Sequence, residues 1–335
     1  MRISRGMSAF SRPLSGTYVT IGNFDGVHRG HQLILDSLVE EARAHRAESV
    51  VITFDPPPAR VLGKAHTPQI TTLEDKEALI AERGIDHFIC WPFTLELARM
   101  PREDFVEKIL VEHLNPAGIF VGYDFCFGKD RAGNVDYLKD VFEPRGCRVR
   151  RFDALVSADE PEEAPSDSEA TVRTAIISSS RIRGLLSAGK VRGAARLLGR
   201  NYHLGGRVGH GDARGRRIGF PTANLDTPNE LIPALGVYAC VVEIAGARWP
   251  SVTNIGRRPT FDGGATRIET HLIGFDGDLY GEFIRLYFVR RIRGERRFPN
   301  VAALQTQIAE DIRRAMLIAG ESACNDALCG GGGRR

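Results

Sequence analysis

Apolar residues in the first half of the chain come in short blocks separated by turn residues and helical patterns. Val19, Thr20 and Ile21 are β-formers that stop at Gly22, and from His31 onward Ile34, Leu35, Leu38, Val39 and Ala42 recur at helical spacing. The pattern predicts strand, glycine turn, helix. Val50-Val51-Ile52-Thr53-Phe54, closed by Asp55-Pro56-Pro57-Pro58, reads as a buried parallel strand. Residues 72–83 follow as a charged helix, 87–91 as a strand, and 103–114 as a helix with Phe105, Val106, Ile109 and Leu110 on one side. Residues 118–122 form a fourth strand running into Tyr123-Asp124-Phe125-Cys126-Phe127-Gly128, and 148–152 a further one. This alternation predicts a doubly wound parallel α/β sheet, whose ligands lie beyond the carboxyl ends of its strands. The Gly22 turn and the Asp124 segment both follow strands and are expected at one crevice.

Residues 157–170 carry six acidic residues, two prolines and almost nothing apolar. They predict a mobile surface loop, with an acidic interaction segment as the alternative. A helix starts near Ser178-Ser179-Ser180, and residues 191–198 form a short helical connector ending in Gly199. Beyond it the character changes to strand-like runs at 203–208, 236–244, 249–254, 267–275 and 282–289, the last two joined by a hairpin turn at Asp276-Gly277. Successive strands with short turns predict an antiparallel sheet closed into a small barrel. One helix ends it, with Asn300 as N-cap and Val301, Leu304, Ile308, Ile312 and Ala315 as its buried stripe. The expected organisation is a first domain at 15–190, a connector at 191–199, a second domain at 200–320 and a disordered tail at 321–335 that includes Gly330 to Gly333.

The length of 335 residues suits two domains, each large enough for its own core, and a composition of 42% hydrophobic and 26% charged residues is that of a soluble protein. A formal charge of +3 is too small to argue for nucleic acid. Arginines cluster at Arg214, Arg216 and Arg217 and from Arg290 to Arg297, which suits either anionic small molecules or a solvated face. The six cysteines lack finger-like spacing, which argues against a zinc site or a disulfide framework. No signal peptide and no membrane span is visible. The expectation is a cytoplasmic protein that binds neither membrane nor nucleic acid; the sequence leaves the oligomeric state open.

Chemistry concentrates at a few positions. Gly22, Gly26 and Gly30 let the backbone turn tightly or approach a ligand, and the helix behind them offers unpaired N–H groups and a positive dipole end, which suits a phosphate. His28 and His31 at that turn can donate to phosphate oxygens and, if protonated, supply charge; the alternative is an ordinary loop containing two histidines. Ser178, Ser179 and Ser180 are first of all capping residues, and Arg183, one turn on, is a natural polyphosphate clamp. Residues 205–225 are rich in glycine and arginine and close with Gly-Phe-Pro-Thr-Ala-Asn-Leu. In an extended segment Thr222 and Asn224 share a face, where their oxygens can ligate Mg²⁺ and nucleotide phosphates; a glycine-rich loop with an Asx turn is the alternative. Glu269, between Ile268 and Thr270, reads on spacing alone as a solvent-facing strand carboxylate.

Gly-Asn-Phe-Asp-Gly-Val-His-Arg-Gly-His at 22–31, Thr-Phe-Asp-Pro at 53–56, Gly-Tyr-Asp-Phe-Cys-Phe-Gly at 122–128 and Ile-Ser-Ser-Ser-Arg-Ile-Arg at 177–183 resemble the adenylyltransferase half of the bacterial bifunctional riboflavin kinase/FMN adenylyltransferases, the prokaryotic FAD synthetases. The likeness spans about 17–190. Pro-Thr-Ala-Asn at 221–224, Gly-Val-Tyr at 236–238, Ser-Val-Thr-Asn-Ile-Gly at 251–256, Glu-Thr-His-Leu at 269–272 and Phe-Asp-Gly-Asp-Leu-Tyr-Gly at 275–281 resemble the riboflavin kinase half, over about 200–317. The resemblance implies a nucleotidyltransferase-like α/β domain followed by a kinase barrel, with ATP, riboflavin and FMN as ligands, FAD as final product, and Mg²⁺. It gives His28 and His31 the role of stabilising the α-phosphate transition state. Gly22, Asn23, Phe24, Gly26 and Asp124 would contact ATP, with Ser178, Ser179, Ser180 and Arg183 on the pyrophosphate. In the second half it implies ATP contacts at Gly209, Gly219, Thr222 and Asn224, Mg²⁺ at Thr222 and Asn224, and Glu269 as base for the ribityl 5′-hydroxyl. Two positions depart from the family pattern: Ser180 replaces a threonine, and Pro57 replaces a histidine. Two rival readings remain at this level, a nucleotidyltransferase acting on another phosphorylated metabolite and a flavin binder without turnover.

Overall fold

The computed structural model describes residues 1–6, 14, 16–63, 66–159, 173–211, 215, 218–257 and 266–329. Contact density divides the chain into two units, one holding Met1–Asp159 and the stretch up to Ser179, the other beginning again at Ser180.

The first unit is built on six parallel strands, β1 (Arg2–Arg5), β2 (Thr17–Ile21), β3 (Ser49–Phe54), β4 (His87–Trp91), β5 (Pro116–Gly122) and β6 (Arg148–Phe152), in the order β1-β4-β3-β2-β5-β6. Alternate residues of the central strands feed two apolar layers. Val19, Ile21, Val50 and Ile52 face Phe105, Leu110 and Leu138 on one side, while Tyr18, Val51 and Phe88 face Leu35, Leu38 and Ile80 on the other. This is the predicted doubly wound sheet. The order reverses between β2 and β5, so the crevice opens at the carboxyl ends of that pair. The Arg29–Ala44 helix buries Ile34, Leu35, Leu38, Val39 and Ala42, the five positions its periodicity selects. Helical winding over 102–114 is continuous, with a π-helical stretch at Phe105–Val111.

Two features of this unit differ from the sequence expectation. β1 lies before the expected domain start; with Ile3 as its one apolar residue it has no readable pattern, yet it extends the sheet by pairing with β4. Residues 157–159, expected in a loop, lie in the strand β7 (Val156–Asp159), which pairs antiparallel with β8 (Arg173–Ile176). The acidic stretch beyond, at 160–170, lies outside the described residues.

The second unit is a closed antiparallel barrel of β9 (Tyr202–Gly209), β10 (Ala223–Asp226), β11 (Gly236–Ile244), β12 (Ala247–Arg257), β13 (Thr266–Leu272) and β14 (Phe283–Arg293), in the order β10-β13-β12-β11-β14-β9. β13 and β14 are not neighbours, which corrects the hairpin expected at Asp276-Gly277. Turn chemistry there bends the chain, but closure requires β13 to join β10 and β12, and Phe275 instead packs edge-on against Trp249 at 5.2 Å. The tight hairpin is at Ala245-Gly246, both at positive φ (47° and 84°), joining β11 to β12. Alanine gives no turn signal. The Val191–Leu198 helix, read as a connector, buries Val191, Ala194, Leu197 and Leu198 and packs on β9 and β14.

Asn300 caps the last helix, its Oδ1 accepting from Ala303 N–H at 2.9 Å. The buried stripe differs from the predicted one: Val301 is exposed, while Asp311, Ala315 and Ile318 are buried. Asp311 is buried because Arg293 of β14 donates to it through Nε (3.0 Å) and Nη2 (2.8 Å), with Gln307 Nε2 adding a third bond at 2.9 Å. The helix runs Val301–Cys329, past Glu321 where an irregular tail was expected. No glycine or proline interrupts it after Glu321; Gly330 to Gly333 lie outside the described residues.

Candidate functional site

In the first unit, β2 delivers Gly22 to the crevice, where its N–H donates to Ile52 O at 3.0 Å. The turn that follows is strained. Phe24 and Val27 both take positive φ (46° and 40°), a conformation that an aromatic and a β-branched residue avoid, at a cost of about 1–3 kcal/mol each. Surrounding bonds hold it in place. Asp25 Oδ1 accepts from Ile70 N–H (2.9 Å) and Thr71 N–H (3.3 Å), Gly26 N–H donates to Thr71 Oγ1 (3.2 Å), and Thr53 Oγ1 donates to Asn23 O (3.2 Å). Gly26 sits at φ +80° with Ile70 3.1 Å from where a Cβ would lie, so both conformation and space require glycine.

His28 is the N-cap of the Arg29–Ala44 helix, its Nδ1 accepting from His31 N–H at 3.3 Å. An imidazole that accepts at Nδ1 carries its proton on Nε2, which leaves Nε2–H as its donor. Gly30 permits this arrangement, since a Cβ there would lie 3.2 Å from the His28 ring. The rings of His28 and His31 stack with centroids 3.6 Å apart, and Phe24 meets His31 edge-on at 5.2 Å. Burial, with His28 and Lys76 alongside, holds His31 well below the usual imidazole range. His31 is therefore neutral near pH 7, and its contribution is hydrogen bonding rather than charge. Its Nδ1 is buried without a hydrogen-bond partner among the described residues.

Asp124 is exposed just beyond β5, on the other side of the switch point, with its Oδ1 folded back over Gly122. Ser179 reaches the same turn, its Oγ donating to Asp25 O at 2.9 Å. Gly22, Asn23, Phe24, Gly26, His28, His31, Asp124 and Ser179 thus belong to one crevice edge. Ser178 precedes the Ser179–Ser187 helix; Ser180 and Arg183 lie on it, in the part of the chain assigned to the second unit.

In the barrel, strand register assembles the second set. Asn224 of β10 stands opposite Gly209 of β9 on one side and Glu269 of β13 on the other, and Glu269 stands opposite Asn254 of β12. Burial alternates along β13, with Ile268, Thr270 and Leu272 inside, so Arg267, Glu269 and His271 line the outer face. Arg267 Nη1 donates to Glu269 Oε1 at 3.1 Å, and His271 Nδ1 lies 2.8 Å from Pro221 O. The glycine loop folds onto Thr222 and Asn224. A Cβ on Gly211 would lie 2.1 Å from Asn224 Nδ2, and one on Gly215 would lie 2.3 Å from Phe220 O and 3.2 Å from Thr222 Oγ1.

The close approach is made by Gly211 and Gly215. Gly209 and Gly219, the glycines singled out in the sequence, have open space at the Cβ position. Asn254, opposite the carboxylate, was also not singled out. Asn254 is placed by the strand register and the two glycines by the packing of the loop, neither of which is local in the sequence. Arg214, Arg216 and Arg217 lie outside the described residues. Asn224 Oδ1 is buried with no partner among the described residues. An unsatisfied amide oxygen two residues along from the Thr222 hydroxyl is a hard-oxygen donor set of the kind that fits Mg²⁺.

The fold is a parallel α/β sheet followed by a closed antiparallel barrel, each with glycines packed closely against its candidate polar side chains. The FAD synthetase family model matches residues 11–163 and the riboflavin kinase model residues 198–319. A bifunctional riboflavin kinase/FMN adenylyltransferase of Pseudomonas fluorescens is 37% identical over 324 residues, covering 96% of this chain and 99% of the relative. Its counterpart in Escherichia coli strain K12 is 37% identical over 314 residues, covering 93% and 96%. A solved structure from Streptococcus pneumoniae described as a macrolide-efflux protein superposes with a TM-score of 0.81 at 29% identity, covering 94% of this chain and 99% of that one. The chain belongs to the bifunctional riboflavin kinase/FMN adenylyltransferase family. No helix among the described residues is long and apolar enough to cross a membrane.

Proposed function

We propose that the two activities of the family, phosphorylation of riboflavin to FMN and adenylylation of FMN to FAD, are carried by the barrel and by the parallel sheet respectively, at the residues described above. In the barrel, Glu269 takes the proton of the ribityl 5′-hydroxyl as that oxygen bonds to the γ-phosphorus of ATP and ADP leaves. Arg267 holds the carboxylate in place. Thr222 and Asn224 would hold Mg²⁺, which when bound neutralises phosphate charge. Gly209, Gly211, Gly215 and Gly219 keep the loop backbone close to the nucleotide. The observation that carries this reading is the register that sets Asn224 directly beside Glu269.

At the sheet, an oxygen of the FMN phosphate attacks the α-phosphorus of ATP, and the bond to the bridging oxygen breaks to release pyrophosphate. The nucleophile is already an anion, so no base is required. His28 and the neutral His31 donate hydrogen bonds to the charge that develops on the α-phosphate. Gly22, Asn23, Phe24, Gly26 and Asp124 contact ATP, while Ser178, Ser179, Ser180 and Arg183 receive the pyrophosphate. The protein works in the cytoplasm on small molecules, binding neither nucleic acid nor membrane. Free Cys90, Cys126, Cys147 and Cys240 support a reducing compartment.

The test follows flavins by chromatography with riboflavin or FMN, ATP and Mg²⁺. Glu269→Gln is expected to abolish FMN formation yet still convert supplied FMN to FAD. His28→Asn, which keeps a good helix cap, is expected to accumulate FMN and make no FAD. FMN formation by Glu269→Gln near the wild-type rate would remove the base assignment; normal FAD synthesis by His28→Asn would remove the histidine role.

A further inference from the structure

The Leu73–Ala81 helix, capped by Thr72, contains a lysine where its buried stripe calls for an apolar residue. Leu73, Lys76 and Ile80 follow one another at helical spacing, and Lys76 is 5% exposed. A buried ammonium is normally held by a close carboxylate or hydrogen bonds. Lys76 has no ion pair within 4 Å and no hydrogen bond among the described residues.

Its surroundings are the carboxyl edge of the parallel sheet. The segment leading into its helix is tied to the strained turn by the Asp25 bonds to Ile70 and Thr71 and by the Gly26 bond to Thr71. Asp25 follows β2 and Asp55 follows β3; with Glu77 on its own helix, these are the carboxylates whose charge Lys76 feels, and the neutral thiol of Cys90 in β4 lies near them. His31 in turn feels the charge of Lys76. Lys76 is thus a buried cation at this edge with carboxylates nearby but none within ion-pair distance, among groups that flank the glycine turn.

We propose that Lys76 is a substrate-binding residue of the adenylyl-transfer site, its ammonium receiving a phosphoryl group of a bound reactant. The inference rests on the reading that places this reaction at the Gly22–His31 turn. The ligand chemistry is a phosphate monoester or polyphosphate, and two sources supply it: the 5′-phosphate of FMN and the triphosphate of ATP. Burial pulls the lysine below its ordinary range, with desolvation only partly offset by the two aspartates, as is typical of an ammonium whose counter-charge arrives with a ligand.

The full-length protein allows a clean test, because riboflavin phosphorylation in the barrel serves as an internal control. Lys76→Met removes the charge and keeps an unbranched side chain. It is expected to lower kcat/KM for FMN adenylylation at least about 100-fold, to leave riboflavin phosphorylation within about twofold, and to melt no lower than wild type, since an apolar group suits the buried position better than a bare cation. Lys76→Arg, which keeps a charge, is expected to recover at least about tenfold of the loss. A rise confined to the KM for FMN assigns the flavin phosphate, and a rise confined to the KM for ATP assigns the triphosphate. Adenylylation by Lys76→Met within threefold of wild type would overturn the inference, as would a lower melting temperature with no recovery in Lys76→Arg, which would mark a structural lysine. His31→Ala separates the two levels of the argument: if it too leaves adenylylation intact, the placement of the site fails; if it abolishes the reaction while Lys76→Met does not, only the lysine assignment fails.

Discussion

Gly211→Ala offers a sharp probe of the barrel site because its effect follows from one distance. The added methyl would stand 2.1 Å from Asn224 Nδ2, 2.7 Å from its Cγ and 2.9 Å from its Oδ1, while ordinary contact begins near 3.4 Å. Either the loop lifts or the amide retreats, by about 1 Å in each case, and a displacement of that size at a positioning group costs about 100-fold in rate. Asn224 cannot follow by sliding its backbone, which is held in the ladder between Gly209 and Glu269. The expected loss in kcat/KM for riboflavin phosphorylation is therefore about 100-fold, or about 2.7 kcal/mol of transition-state stabilisation. Steady-state formation of FMN measures it, and conversion of supplied FMN to FAD by the same polypeptide should be unchanged. A double-mutant cycle isolates the cause: in an Asn224→Ala background the amide is gone, and Gly211→Ala should add less than about threefold. A single Gly211→Ala variant within threefold of wild type, or full additivity in the cycle, would refute the idea that the loop acts through this amide.

Two further outcomes follow from buried polar groups. His31 binds its proton more weakly in the folded than in the unfolded chain, so its contribution to stability is complete above the unfolded value of 6.5 and is lost as the pH falls below it toward the folded value. Urea titrations between pH 7 and pH 5 should show a weakening fold, with a shallower dependence in His31→Gln; equal slopes would count against a buried neutral imidazole. Asp311→Ala leaves Arg293 buried without its partner, which is expected to destabilise the barrel by about 3–5 kcal/mol. Riboflavin phosphorylation should then fail at lower urea than in wild type while FMN adenylylation persists; unchanged midpoints would show that the pair contributes little.

What could be read from the sequence was whatever local periodicity encodes. The five buried positions of the Arg29–Ala44 helix and the parallel sheet followed from spacing, because burial on one or both faces leaves a repeat of 3.6 or a continuous apolar run. Long-range pairing leaves no such trace. The local turn signal stands at Asp276-Gly277, which joins no paired strands, and is missing at Ala245-Gly246, which does join them. Arg293 and Asp311 are ordinary charged residues until the barrel brings them together. At the sites, motif residues such as His28, Thr222, Asn224 and Glu269 were visible by resemblance, whereas Gly211 and Lys76 matter through what surrounds them. Lys76 did leave a signal, as a charge on the stripe of Leu73 and Ile80. The strain at Phe24 and Val27 left none, since neither residue type favours the left-handed region.

The strand order of the second unit has a consequence for biogenesis. β9 must pair with both β10 and β14, and β14 is the last strand among the described residues. During synthesis the parallel sheet has all its strands once Phe152 has emerged, but the cylinder stays open, with an unpaired β9 edge, until Arg293 follows. The adenylylating half, whose Ser179–Ser187 helix follows soon after, can mature first, and a chain cut short between Ser187 and Arg293 would be able to consume FMN and unable to make it.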